Sequence, residues 1–199
     1  MFAQGLDVQK AFSTAKQLDR LIGESIKYDT DEQFGFLTAC PTNVGTGMRI
    51  SVMLHLPGIS ASHRTSALLK WAANLGMTVR GLYGEGTKAS GALYQLSNQI
   101  TLGISEDDIA SKFSSAACGL ISEERRILAD IYEKNKNLIT DKCLRSLGIL
   151  KNAYMISSAE AMDLISNVCM GSNLGIIKGI DNSTLRGTLF KAMPAGLAL

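Results

Sequence analysis

Apolar residues recur at helical spacing near the start of the chain. Val8, Phe12, Ala15, Leu18, Ile22 and Ile26 form one stripe, and Asp7 stands where an N-cap belongs. Residues 34–39 read as a short buried strand closed by Cys40-Pro41-Thr42-Asn43. Residues 48–56 are apolar and β-tolerant, and Pro57-Gly58 stops them. A helix follows over 61–75, with Leu68, Leu69, Ala72 and Leu75 facing inward, Trp71 in the core and Gly76 as C-cap. Residues 77–82 and 93–102 are the third and fourth strands.

Beyond Ser105 the texture changes to helix. Ser105-Glu106-Asp107-Asp108 opens a long amphipathic element along Ile109, Phe113, Ala117 and Leu120, continuing toward Leu128 and Ile131. Ser157-Ser158-Ala159-Glu160 is a capping box, and a last short helix covers 183–193. Strands interleaved with helices, then a helical final part, predict an α/β or α+β fold. Its sheet-rich portion is residues 1–104 and its helical portion 105–199. The chain contains no internal repeat or low-complexity tract.

Composition narrows the class. The chain has 199 residues, 46% of them hydrophobic, and a net charge of +2, so no strong field favours nucleic acid or an anionic membrane. No apolar run reaches the ~20 residues a membrane span needs, and the first residues lack the basic-then-apolar pattern of a signal peptide. Cys40, Cys118, Cys143 and Cys169 form no C-x-x-C pair, and neither His55 nor His63 completes a metal-ligand spacing with them. Scattered thiols of this kind predict reduced cysteines in the cytoplasm. Both histidines read as structural, and Arg125 and Arg126 as charges on a solvated helix face.

Three segments depart from ordinary core. In the first, a strand runs through Cys40-Pro41-Thr42-Asn43-Val44-Gly45-Thr46-Gly47 into Met48-Arg49. The second, Arg80-Gly81-Leu82-Tyr83-Gly84-Glu85-Gly86-Thr87, ends a strand in a glycine-rich loop with one arginine and one carboxylate. The third, Tyr94-Gln95-Leu96-Ser97-Asn98-Gln99, is polar inside a strand. Glycines at strand ends let backbone N–H groups approach an anion, and arginine forks brace phosphate oxygens. Neither loop is a P-loop, and no G-x-G-x-x-G follows a strand. The residues alone leave two readings of each group: a phosphate site built from Arg49 and Arg80 or solvated strand-end charges, a working Cys40 or an inert thiol, a catalytic Glu85 or a turn carboxylate.

In this order and spacing, the segments resemble the phosphagen kinases, the ATP:guanidino phosphotransferases. Cys40-Pro41-Thr42-Asn43 with Gly45-Thr46, Arg49 and Ser51-Val52 is similar to that family's reactive-cysteine loop and following strand. Arg80-Gly81 with Gly84-Glu85 is similar to its second nucleotide loop, and Ser97-Asn98 to the strand beyond. Met53-Leu54-His55-Leu56-Pro57, Arg145-Ser146-Leu147-Gly148-Ile149-Leu150 and Leu174-Gly175-Ile176-Ile177 point within the family to bacterial protein-arginine kinases. Met53 departs from the animal enzymes, where a histidine tends to follow Ser-Val. The likeness covers roughly residues 7–180.

The resemblance implies a mostly antiparallel sheet flanked by helices, the glutamine synthetase-like catalytic fold of that family. It implies ATP with Mg2+ as the phosphate donor and protein arginines as acceptors. Arg49, Ile50, Ser51, Val52 and Met53, with Arg80, Gly81, Leu82, Tyr83, Gly84 and Glu85, would line the nucleotide. Glu85 and Cys40 would be catalytic, Thr42 and Asn43 would shape the substrate loop, and no metal would be held by protein ligands alone. An activator protein, the Clp protease machinery and a second copy of the chain are the further partners it implies. The family's upstream Ser-Arg-Ile-Arg strand and Asn-Glu-x-Asp-His-x-Arg motif have no counterpart here. The chain is therefore expected to be a shortened member, with an inactive docking module as the alternative, and its uncovered apolar surface is expected to promote self-association.

Overall fold

The first helix, α1 (Val8–Gly23), starts at the expected cap: the Asp7 carboxylate accepts from the Lys10 N–H at 3.0 Å. The structure, a computed structural model, describes residues 1, 3, 5–81 and 90–192. After α1 come β1 (Thr30–Asp31), β2 (Gly35–Phe36), β3 (Ser51–His55), α2 (Pro57–Ala61), α3 (Thr65–Asn74), β4 (Met77–Gly81) and β5 (Leu93–Asn98). Four helices follow: α4 (Glu106–Lys134), α5 (Lys136–Asn152), α6 (Ser158–Asn173) and α7 (Asn182–Lys191). Helices and antiparallel sheet are thus mixed as expected. The larger sheet has the order β3-β5-β4. Asn98 N–H donates to Ile50 O at 3.1 Å and Leu56 N–H to Ala92 O at 2.9 Å, so β5 runs antiparallel to β3.

The described residues group into two units. One combines Met1–Val52, Leu69–Val79 and Leu96–Leu120; the other combines Met53–Leu68, Arg80–Gln95 and Ile121–Leu199. In the first unit, Phe12, Ile109, Phe113 and Ala117 are buried, but Leu18, Leu21, Ile22 and Ile26 remain exposed. Lys16 reaches Glu106 and Asp107 in the acidic first turn of α4, whose start is capped by Ser105 accepting from the Asp108 N–H at 3.1 Å.

Several sequence expectations need correcting. Residues 34–39 are not a buried strand. Only Gly35–Phe36 forms a strand, and it pairs with β1 in a small hairpin whose turn is held by Asp31 accepting from the Gln33 and Phe34 N–H groups. Phe34 and Leu37 are exposed. The helix expected over 61–75 forms as α3 but starts only at Thr65, because His63 adopts a left-handed φ of 55°; the short α2 before it, at the Pro57-Gly58 stop, was not expected. Leu68 and Ala72 face inward, but Leu69 and Leu75 are exposed and Trp71 is only half-buried. β3 and β5 are shorter than the apolar runs that suggested them. The sequence reading also missed α5, which only Asn135 separates from α4; the Asn135 side chain bonds back to the Ile131 carbonyl and makes no capping bond to α5.

The second unit is built on one apolar cluster that includes Met162, Leu189, Val168, Ile165, Cys143 and Leu93. Ser157 caps α6 by accepting from Glu160 N–H at 3.2 Å, as its capping-box sequence predicts. Glu124, in the charged run that otherwise carries exposed Arg125 and Arg126, points inward instead. Its carboxylate accepts from Gly58 N–H at 2.6 Å and Ile59 N–H at 2.8 Å, closing the start of α2. Burial raises its pKa, with the two N–H groups opposing.

His55 is structural, as expected. Its Nε2 lies 2.7 Å from Ser166 Oγ on α6, and burial lowers its pKa to about 4. The fold therefore selects the neutral ring, whereas the unfolded chain protonates near pH 6.5. This stabilisation is present above pH 6.5 and is lost as pH falls toward 4. Because the ring is partly exposed, the loss at pH 5 is about 1–2 kcal/mol. Urea midpoints from pH 7 to 5 should fall more steeply for the wild type than for His55→Gln, and parallel slopes would remove His55 as the cause.

Candidate functional site

Cys40 has extended backbone (φ −109°, ψ 118°) and leads into a 3-10 turn, Pro41–Asn43, with proline at its first position. The turn is closed by Asn43 N–H donating to Cys40 O at 2.9 Å, and Thr38 Oγ1 donates to the same oxygen at 2.7 Å. This puts Thr42 Oγ1 3.0 Å from Cys40 Sγ. The thiol is exposed, and its pKa is lowered chiefly by the Thr42 hydroxyl and backbone N–H, with the Arg49 charge adding to the effect.

Arg49 enters from the other end of the loop. Its Nε and Nη2 both donate to Asn43 Oδ1 at 3.2 Å. A guanidinium carries five N–H donors; among the described residues, its hydrogen bonds both go to Asn43, so the remaining edge can serve an anion. The structure thus brings Cys40, Thr42, Asn43 and Arg49 into one exposed cluster within the first unit. Gly45 explains the loop's path. Its φ is +109°, and a Cβ there would run into the Thr101 carbonyl oxygen.

The other expected residues are placed less closely. Ile50, Ser51 and Val52 carry the chain from Arg49 into β3, and Met53 packs against the apolar cluster of the second unit. Arg80, exposed, and Gly81 end β4 in that second unit. Leu82, Tyr83, Gly84 and Glu85 lie outside the described residues. Among the described residues, no group of three His, Cys, Asp or Glu side chains is placed to hold a metal, and no helix is long and apolar enough to cross a membrane.

Two buried residues behind the loop were not read as site residues: Asn98, singled out as polar within a strand and matched with Ser97 to a family strand, and Thr101. Asn98 Oδ1 accepts from Ile50 N–H at 2.7 Å and its Nδ2 donates to Met48 O at 3.0 Å. Thr101 Oγ1 reaches Val44 O at 2.8 Å and Thr42 O at 3.2 Å.

The family pattern described as "ATP:guanido phosphotransferase, C-terminal catalytic domain" matches residues 1–127, which include this whole cluster. The chain belongs to that family. A second pattern, "Protein-arginine kinase McsB C-terminal domain", matches residues 136–198. Proteins named protein-arginine kinase from Clostridium kluyveri and Clostridium acetobutylicum are 44% and 45% identical, over 96% and 97% of this chain and 55% and 57% of theirs. The chain thus spans about half the length of the curated relatives it matches. Among solved structures, lombricine kinase is similar with a TM-score of 0.50 at 27% identity, over 59% of this chain and 33% of that one. This member of the ATP:guanido phosphotransferase family therefore carries its Cys40 turn and Arg49 inside the matched catalytic domain.

Proposed function

We propose that this chain supplies part of an active site that transfers the γ-phosphate of MgATP to arginine side chains in proteins. The observation that supports it most is the shared turn: Thr42 and Asn43, neighbours in sequence, hold the Cys40 thiol and the Arg49 guanidinium on one exposed surface. Its protein-arginine character rests on the second family pattern and on the names of the relatives.

Phosphoryl transfer asks mainly for positioning and charge neutralisation. Arg49 is assigned to a phosphate of ATP with Ile50 to Met53 beside it, the resemblance gives Arg80 and Gly81 to Glu85 a nucleotide role as well, and Mg2+ would enter bound to the nucleotide and neutralise phosphate charge. The acceptor arginine has a pKa above 12 and must lose a proton to become a nucleophile. Glu85 takes that proton as the nitrogen–phosphorus bond forms and the bond from γ-phosphorus to the ADP oxygen breaks. The products are phosphoarginine, ADP and one proton. Cys40, held toward the thiolate, orients the acceptor guanidinium electrostatically rather than attacking phosphorus.

Incubation with MgATP and an arginine-rich protein should yield acid-labile phosphate on arginine and none on a lysine-substituted version. The assay is run on the chain alone and supplemented with the remaining portion of a longer relative. No transfer in either case overturns this reading. Retained binding of the arginine-rich protein would then favour a module that docks a kinase or its substrate.

A further inference from the structure

The Cys40–Arg49 loop is tied at two places to one short stretch that starts at the last residue of β5. The Asn98 side chain accepts from Ile50 N–H and donates to Met48 O, so the backbone on either side of Arg49 is fixed by a single amide. Its Nδ2 also donates to Ile100 O at 3.3 Å, which ties that amide to its own stretch. β3 begins only at Ser51, so the amide extends backbone pairing past the end of the strand to Arg49. Three residues on, the Thr101 hydroxyl lies against the carbonyls of Thr42 and Val44, and the Thr101 carbonyl accepts from Thr46 N–H at 3.0 Å. Thr42 is the residue whose hydroxyl and N–H face the Cys40 sulfur, and Arg49 is the charged group that faces it. Asn98 and Thr101 are each 4% exposed, so neither can meet a substrate directly.

We propose that Asn98 and Thr101 are positioning residues that lock the Cys40 turn and the Arg49 backbone to one brace, fixing thiol and guanidinium relative to each other. The function of that brace rests on the phosphotransferase reading; its geometry does not. A purely structural role predicts lower stability in variants and unchanged behaviour of the folded molecules. A positioning role predicts that the folded variants themselves change.

Thr101→Val keeps the shape and removes the hydroxyl, whereas Thr101→Ser keeps the hydroxyl. Cys40 alkylation by iodoacetamide, resolved from exposed Cys118 by mass spectrometry, is followed against pH below the melting transition. Thr101→Val should move the Cys40 profile to higher pH and slow its neutral-pH reaction several-fold, and Thr101→Ser should restore it. MgATP titration should show Asn98→Ala binding about tenfold more weakly, the equivalent of one hydrogen bond. If Asn98→Ala does not fold, Asn98→Asp retains the acceptor for Ile50 and loses both amide donors. Variants that melt lower yet match wild type in both measurements overturn the proposal. Wild-type protein that binds no MgATP even when supplemented with the remaining portion of a longer relative removes the kinase reading instead, and the Thr101 profile then decides the brace by itself.

Discussion

Glu124→Ala should cost about 3–5 kcal/mol of unfolding free energy, since it strands two buried N–H donors at about 1–3 kcal/mol each and leaves a cavity. Gly58 and Ile59 lose the acceptors now 2.6 and 2.8 Å away, and the five-residue α2 has few other bonds to hold its start. The contact is tight: a Cβ added at Gly58 would sit 2.9 Å from Glu124 Oε1 and 3.0 Å from Leu128 N. Against a total stability of about 5–15 kcal/mol this is a large fraction, and it corresponds to a melting point lower by about 10 °C. Glu124→Gln keeps one acceptor and should fall between. Arg126→Ala removes exposed ion pairs to Glu123 and Asp130 and should barely move the transition. A Glu124→Ala melt within about 2 °C of wild type, where each kcal/mol is worth roughly 2–4 °C, would show that this carboxylate does not hold α2.

The largest functional effect is expected at Arg49. If Arg49 braces phosphate as proposed, its removal should weaken MgATP binding by about 10- to 100-fold without lowering the melting point. Arg49→Lys keeps the charge but cannot place two N–H groups on Asn43 Oδ1 as Nε and Nη2 now do, so only part of the affinity should return. Calorimetric titration of the three proteins decides this, and equal affinities would leave Arg49 a solvated strand-end charge.

Helices were legible wherever a cap and an apolar stripe coincided, as at Asp7 and Ser157. The boundary between α4 and α5 was not, because one residue with no capping bond leaves no signal in the hydrophobic pattern. Residues 34–39 misled because apolar content suggested burial, whereas Phe34 and Leu37 face outward and the backbone pairs with the two-residue β1 and, at Phe36, with Gly45. At the site, Cys40, Thr42, Asn43 and Arg49 were readable because they are close in sequence and match a family pattern. Thr101 was not, since its contact with Thr42 spans 59 residues and no local pattern marks it. Glu124 was hidden by its neighbours: beside Glu123 and Arg125 it looks like another surface charge, and only the packing of α2 shows that it turns inward.

The central claim is that the thiol and the guanidinium of this one loop face the same bound ligand. Cys40 is exposed and its sulfur carries a lowered pKa, so the claim can be read from its chemistry directly. The decisive measurement is the rate of Cys40 alkylation with and without saturating MgATP and an arginine-containing peptide. Protection that disappears in Arg49→Ala is the expected result; a rate indifferent to both ligands would contradict the account.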